Sequence, residues 1–351
     1  MSCDLDVEMK RVFGVFYGQL IGDALGCRYE FKNSTIVCNK MAKDRQPDGF
    51  LPILGGGPFG LRPGQITDDS ELALSLARSL VANKKYDKFD VACSYAFWTQ
   101  SDPPDMGITT LNALKITKIL TSTWRTDLNL DQKRQIYEKI HQNISLYCKT
   151  SLSNGCLMRI SPLAIAYRKD LDKLKEFAME DAGLTHLDKV VFDAVRVYTH
   201  AIALLINGVD KNEVFEEAQK TAETNVIQGH LEDAKTKAIP VRLPKEPVEF
   251  TDGDASFVGY LGVALQSAFY ELLHATSFAS GVEAAIARGG DTDTNGCIVA
   301  TLLGARFGVD DIPEAWIKSV RNAVPRSESL DFVSVKDVDS FVPQLANILN
   351  D

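Results

Sequence analysis

The 351-residue sequence predicts an all-α protein built as one domain of packed helices. Three observations predict it. Apolar side chains recur at three- and four-residue steps along most of the chain, the period of a helix with one buried face. Strand-like alternation is scarce, and no internal repeat of fixed period occurs. The composition, 45% hydrophobic and 24% charged, is that of a core-forming chain and excludes disordered and low-complexity classes.

The first helix is predicted over Val12–Leu25, where Phe13, Phe16 and Leu20 mark the apolar period. The same stretch sets Gly14, Gly18, Gly22 and Gly26 four residues apart, in one stripe along a helix face. Each interior glycine costs a helix roughly 1 kcal/mol relative to alanine. The stripe therefore predicts a second backbone packed against it, with Gly26 as the stop. Residues Lys40–Gln65, rich in glycine and proline around Gly55-Gly56-Gly57-Pro58, read as a long ordered loop. Helices are then predicted over Glu71–Ala82, Phe89–Thr99, Asp131–Tyr147, Leu171–Ala182, Val190–Ile206 and Lys211–Thr224. Residues 225–256 are polar, carry Pro240, Pro244 and Pro247, and read as a surface excursion. Helical patterning of the same kind resumes over Phe257–Leu273, Gly281–Ala287 and Gly296–Phe307, so the expected domain spans 1–351.

A net charge of −9 disfavours a general nucleic-acid or anionic-membrane binder. No apolar run reaches the ~18–20 residues of a membrane helix. The acidic start Met1-Ser2-Cys3-Asp4-Leu5-Asp6 does not read as a secretory signal. The seven cysteines are scattered, odd in number and without a CxxC, which points to reduced thiols rather than disulfides or a zinc ribbon. A cytoplasmic protein is expected and, with no long amphipathic stripe left over, a monomer. No G-x-S-x-G, Walker GxxxxGK[ST] or HExxH occurs, and His141, His186, His200, His230 and His274 show no ligand spacing with cysteine.

Three stretches concentrate small, acidic and amide residues beyond what core packing requires. Thr67-Asp68-Asp69-Ser70-Glu71 opens a helix directly after the glycine-rich loop. Taken alone it reads as a capped start, because Asp68 and Glu71 have capping-box spacing and acids suit the positive helix end. Arg288-Gly289-Gly290-Asp291-Thr292-Asp293-Thr294-Asn295-Gly296 supplies more than a cap needs. Its alternating aspartates and threonines are hard oxygen donors, suited to Mg²⁺, Mn²⁺ or Ca²⁺ rather than zinc. Its paired glycines would let backbone N–H groups approach an anion such as a pyrophosphate. Ser153-Asn154-Gly155-Cys156-Leu157-Met158-Arg159, alone, is a turn into a helical run with Pro162 in its first turn. Asp23, in Gly22-Asp23-Ala24-Leu25-Gly26, stands in an apolar helix, either exposed or ordering other ligands from behind.

Taken in this order, the motifs resemble the ADP-ribosylglycohydrolase family, which includes dinitrogenase-reductase-activating glycohydrolases and ADP-ribosylarginine hydrolases. The matching residues are Gly22–Gly26, Thr67-Asp68-Asp69, Pro103-Pro104-Asp105-Met106-Gly107, Asn154-Gly155 with Met158-Arg159, Leu184-Thr185-His186, and Gly289-Gly290-Asp291-Thr292-Asp293-Thr294. Two departures, Ser70 in place of a frequent threonine and Asn295-Gly296-Cys297 in place of small apolar residues, touch no expected ligand.

The resemblance implies an orthogonal multi-helix bundle around a two-metal site. Two Mg²⁺ or Mn²⁺ would be held by Thr67, Asp68 and Asp69 from one helix start and by Asp291, Asp293 and Thr294 from another. It implies Glu30 as a metal ligand or gate and Asp105 beside the scissile bond, and these two are the candidates for proton transfer. It places Asn154, Gly155, Met158, Gly107 and the Gly289-Gly290 backbone along an ADP-ribose cleft, with His186 and Tyr260 as further contacts. The implied activity is hydrolysis of the glycosidic bond between ADP-ribose and a side chain of a mono-ADP-ribosylated protein. Arginine is the expected linkage, because Asp105 in its motif suits a guanidinium. Serine-linked or small-molecule ADP-ribose, a non-catalytic ADP-ribose-binding or crystallin-like member, and a two-metal phosphohydrolase are the alternatives.

Overall fold

Helix α1 (Val7–Gly26) starts where Asp6 accepts the Met9 N–H at 2.7 Å, and it is buried on every side from Val12 to its end. A computed structural model describes residues 6–103, 105–239 and 258–350 of the chain. After α1 come a two-residue strand β1 (Lys32–Asn33) and α2 (Ser34–Asp44), then α3 (Asp68–Asn83) and α4 (Lys88–Thr99). Next are α5 (Ile108–Leu114), α6 (Trp124–Asp127), α7 (Leu130–Tyr147), α8 (Ser161–Ala166), α9 (Leu171–Ala182) and α10 (Lys189–Ile206). They are followed by α11 (Lys211–Thr221), α12 (Asn225–Ala234), α13 (Leu261–His274) and α14 (Phe278–Ala287). Strand β2 (Gly289–Gly290), α15 (Thr292–Phe307), α16 (Glu314–Arg321) and α17 (Val338–Ala346) complete the order. The fold is all-α, as its periodicity predicts. None of the described helices is long and apolar enough to cross a membrane.

The partner of the glycine stripe is α15. A Cβ on Gly14, Gly18, Gly22 or Gly26 would stand 2.2–2.3 Å from the carbonyl oxygen of Gly304, Ala300, Gly296 or Thr292, respectively. The pairing runs in opposite directions, so the two helices are antiparallel and meet backbone to backbone through small residues on both. This crossing places the start of α15 beside the end of α1, where the Thr292 hydroxyl donates to the Gly26 carbonyl at 2.7 Å. Helices α13 and α14 pack against the other faces of α15, and α10 packs on α8 and α9.

Six helices were not predicted: α2, α5, α6, α12, α16 and α17. Helix α2 buries only Val37 and Met41, too few to mark a period, and it takes the first residues of the expected Lys40–Gln65 loop. The 225–256 excursion needs correction at its start. Residues Asn225–Ala234 form α12, which buries Ile227, His230, Leu231 and Ala234, while 240–256 lie outside the described residues. Helices α3 and α15 both begin three or more residues ahead of their apolar pattern, because their first turns are polar and buried.

Candidate active site

The site grows from the α1–α15 crossing. Asp23, fully buried in the last turns of α1, accepts the Thr67 backbone N–H at 3.1 Å, the Thr67 hydroxyl at 3.0 Å and the Ser70 N–H at 3.1 Å. Asp23 thus supplies, from another helix, the cap that the N-terminus of α3 lacks, and the two donors it satisfies are otherwise orphaned there. The capping-box reading of Asp68 and Glu71 is not realised: no side chain of α3's own N-cap bonds the helix, and Glu71 instead accepts the Trp98 indole N–H at 2.8 Å. Asp68 and Asp69 are freed to face the interior of the site. Asp69 shares the single Thr67 hydroxyl hydrogen with Asp23, its oxygen also 3.0 Å away, and Asp68 takes the Gly107 N–H at 3.3 Å.

The second helix start brings Asp291, Asp293 and Thr294, all buried. Glu30 joins them through the short antiparallel pair β1–β2, in which Lys32 faces Gly290 and Asn33 faces Gly289. The Phe31 N–H donates to the Gly290 carbonyl at 2.7 Å, so the residue next to Glu30 is fixed to the residue before Asp291. One oxygen from each of Glu30, Asp291 and Asp293 lies within 4.8 Å of the others. Asp68 and Asp69 fall outside that tight group.

An open cleft of about 430 Å³ lies over these acids, within the size range of ligand pockets. Glu30, Asp68, Asp105, Gly107, Asn154, Gly155, Met158, Asp291 and Thr294 all line it. Asn154 donates its side-chain N–H to Asp291 at 2.8 Å, which ties the cleft wall to the acid cluster. Asp105 is half-buried at the rim, where it accepts the Met106 N–H at 2.7 Å; Pro104 beside it lies outside the described residues. Thr67, Asp69 and Asp293 lie beneath the cleft floor rather than on it.

Four sequence-derived contacts are displaced from the cleft. His186 is fully buried behind Ser153, its ring nitrogens engaged by Thr185 at 2.8 Å and Ser153 at 2.9 Å. Tyr260 turns its hydroxyl to His230 at 3.0 Å, and its neighbour Gly259 lines the cleft instead. Gly289 and Gly290 are occupied by strand pairing: a Cβ on Gly289, whose φ is +78°, would meet the Lys32 carbonyl at 2.5 Å. Their conformational freedom serves to seat the Glu30 loop rather than to bind an anion.

Charge is the defining property of the site. Burial, then the charges of Asp291 and Asp105, pushes the Glu30 carboxyl up to about 9. Burial likewise holds Asp68, Asp69 and Asp293 well above the usual carboxylate range, with neighbouring acids adding to it. Asp23 rises to about 6 by burial, restrained by the Ser70 and Thr67 donors. No lysine or arginine lines the cleft among the described residues. Moreover, Glu30 Oε2 and Asp69 Oδ1 are buried with no hydrogen-bond partner. Buried carboxylate oxygens without a donor or counter-cation are costly unless a cation accompanies them. An all-oxygen donor set of this kind fits a hard divalent cation.

A family model described as ADP-ribosylglycohydrolase matches residues 5–347. The chain belongs to the ADP-ribosylglycohydrolase family. It is 28% identical to the ADP-ribosyl-[dinitrogen reductase] glycohydrolase of Rhodospirillum rubrum, over 90% of this chain and 92% of that one. It is 25% identical to the ADP-ribosylhydrolase ARH3 of Bos taurus, over 89% of each chain. It is 24% identical to the ADP-ribosylarginine hydrolase Tri1 of Pseudomonas putida, over 91% of this chain and 77% of that one. Among solved structures, an ADP-ribosylglycohydrolase-related protein complex superposes with a TM-score of 0.68 at 24% identity, covering 98% of this chain and 99% of that one. The fold and the reaction class, hydrolysis of a glycosidic bond of ADP-ribose, are thereby those of this family.

Within this glycohydrolase, sequence reasoning missed Gln19. Its side-chain amide donates to the Met158 carbonyl at 2.8 Å and the Asp69 carbonyl at 3.3 Å, and its oxygen accepts the Ser161 hydroxyl. A lone amide in an apolar helix, one turn before Asp23, was the available signal. Thr109 and Thr110, which also line the cleft, gave no signal of their own, and Ser153 lines it too, from the stretch whose sequence alone reads as a turn.

Proposed function

We propose that this protein removes ADP-ribose from arginine side chains of mono-ADP-ribosylated proteins in a reaction dependent on Mg²⁺ or Mn²⁺. The observation that carries this reading is the convergence of Glu30, Asp291 and Asp293 at a cleft whose charged lining, among the described residues, is wholly acidic. Glu30, Asp291 and Asp293, with Asp68, Asp69, Thr67 and Thr294 around them, are the residues that hold the cation pair. A divalent cation held there supplies Lewis acidity and neutralises the carboxylates.

The remaining roles belong to the chain. Asn154 orients Asp291, and Asp23 fixes the backbone from which Asp68 and Asp69 project. Met158, Gly155, Gly107 and the Thr109–Thr110 hydroxyls form the walls against which ADP-ribose is held. Asp105 handles the proton at the scissile bond. Burial, with the charge of Asp291, raises its carboxyl above the ordinary value and so makes it a better base, although the Met106 N–H opposes the shift. Its position at the cleft rim also suits it to pair with a guanidinium leaving group through charge-assisted hydrogen bonds. The arginine linkage named for the Pseudomonas putida relative is consistent with that pairing.

The test is release of free ADP-ribose from arginine-modified and serine-modified proteins, in Mg²⁺, in Mn²⁺ and in EDTA. Metal-dependent release from the arginine substrate alone is expected. Release from serine alone would overturn the role given to Asp105 while keeping the metal site. No release from either, with ADP-ribose still bound, would convert the protein into a binding member of the fold.

A further inference from the structure

The acid end of the cleft is bordered by two segments of chain. One carries Glu30 and Phe31, the other Asp105, Gly107 and Ile108, and all five residues line the cleft. The segments adjoin: burial and the charges of Asp291 and Asp105 together raise the Glu30 carboxyl, and the Gly107 N–H donates to Asp68 at 3.3 Å. On each segment a large apolar side chain beside the acids is left in water. Phe31 is 47% exposed, and Ile108, the first residue of α5, is 79% exposed. Leu111, one turn further along α5 and on the same face, is 39% exposed. Single exposed apolar side chains are ordinary on a protein surface. Phe31 is a different case, because its backbone stands at φ +59°, in the left-handed region. Glycine and asparagine enter that region readily, whereas a bulky aromatic residue is disfavoured there. The contact that fixes Phe31 uses its backbone alone: any residue but proline would supply the N–H that reaches the Gly290 carbonyl at 2.7 Å. The ring does not belong to the hydrophobic core either. Neither local conformation nor packing accounts for a phenylalanine at this position, which leaves a contact from outside the chain.

The order of groups along the substrate identifies that contact. This step rests on the reading that ADP-ribose is cleaved from a protein side chain, with the scissile bond beside Asp105. The leaving side chain then emerges at the acid end, and the polypeptide that carries it comes next. Adenine, the apolar part of ADP-ribose, is separated from the scissile bond by two riboses and a diphosphate, so it lies away from this end. We infer that Phe31 and Ile108, with Leu111 beside them, form an apolar docking surface for the polypeptide on either side of the modified residue. The surface is continuous with the cleft, since Phe31 and Ile108 line it while standing largely in water. It selects sequences with large apolar side chains next to the modified residue, because those cover the exposed ring and the exposed aliphatic group together. The acids recognise what is cleaved, and this pair recognises the chain from which it is cleaved.

The test uses two peptides ADP-ribosylated on one arginine, with leucine on both sides of it in the first and serine in the second. With Mg²⁺ and the unsubstituted protein, kcat/KM for the leucine peptide is expected to be about tenfold higher, the worth of burying roughly 50–60 Å² of apolar surface. The difference should lie in KM rather than kcat, the signature of uniform binding. Phe31→Asn puts a residue that accepts the left-handed backbone in place of the ring, and Ile108→Ser removes the aliphatic group from the start of α5. Each is expected to lower the ratio to about threefold, and the two together to about one, with folding checked by circular dichroism. Taking the ratio within each variant cancels any effect that both peptides share. Phe31→Leu and Ile108→Val are expected to retain most of the preference. Equal kcat/KM for the two peptides with the unsubstituted protein overturns the docking surface alone, as does a tenfold ratio that survives the double substitution. Turnover of free ADP-ribosylarginine as efficient as that of the leucine peptide also overturns it, because nothing beyond the side chain is then recognised. Failure of the unsubstituted protein to release ADP-ribose from any of these, or from the same peptides modified on serine, overturns the functional reading and the docking surface with it.

Discussion

Asp23 and Asp293 are both buried aspartates at helix ends, yet the bonds around them assign them different work. Asp23 is saturated by donors from Thr67 and Ser70, and it holds α3 in place. Asp293 is part of the tight group with Glu30 and Asp291 and accepts the Thr294 N–H at 2.9 Å. Asp293→Asn is therefore expected to abolish metal-dependent stabilisation and to lower turnover by at least about a hundredfold, with helical circular dichroism unchanged. Unchanged turnover would remove Asp293 from the metal site. Asp23→Asn replaces one of the two acceptor oxygens with an amide donor facing the Thr67 and Ser70 N–H groups, and is expected to cost roughly 1–3 kcal/mol of folding stability, read by chemical denaturation. Such residue-level division was only partly legible in the sequence. The motif Asp291–Thr294 stood out because capping needs fewer acids than it carries, whereas Thr67-Asp68-Asp69, taken alone, read as a capped helix start. The destination of His186 was not legible, since neither its neighbours Leu184-Thr185 nor its spacing reports that Ser153 stands between it and the cleft.

At the scale of elements, the glycine stripe of α1 was readable because a repeated helix penalty requires a compensating contact. Its partner was not, since Gly296, Ala300 and Gly304 on α15 form a weaker pattern interrupted by larger residues. The β1–β2 pair, two residues on each side, has no sequence period to read at all, although it delivers Glu30 to the site. Two glycine substitutions separate a packing role from a propensity role. Gly22→Ala would put a methyl 2.2 Å from the Gly296 carbonyl, so the helices must part, and the start of α15 with them. Overpacking of this kind costs about 1–3 kcal/mol or more, and because Asp291 and Asp293 ride on α15, metal affinity should fall as well. Gly229→Ala, in α12 with open space around it, should instead stabilise the protein by roughly 0.5–1 kcal/mol. Thermal unfolding of the two variants, with and without Mg²⁺, reads both signs. Equal stability in Gly22→Ala would mean that the crossing is looser than the backbone contacts require.

For the whole molecule, the site makes the stability of the protein a function of pH and metal together. Burial and neighbouring acids raise the Glu30 carboxyl from 4.5 to about 9 and burial raises Asp23 from 3.8 to about 6, so the folded state binds these protons more tightly than the unfolded chain. Groups shifted upward contribute stability that is complete below their unfolded values and is lost as pH rises through their folded values. Without metal, unfolding temperature is therefore expected to fall as pH increases from about 5 to about 9, with the Asp23 contribution lost around pH 6 and the Glu30 contribution towards pH 9. A divalent cation reverses the trend, because it takes the place of the protons that the cluster otherwise holds. Its stabilising effect should grow with pH, and its binding should release protons to the buffer. Thermal unfolding in EDTA and in Mg²⁺ across that range, with calorimetry in buffers of different ionisation enthalpy, measures both quantities. The helix ends of α3 and α15 come together only in the folded bundle, so the unfolded chain cannot reproduce this linkage. A metal-free protein that gains stability with pH would show that the carboxylates are not held together as the structure places them.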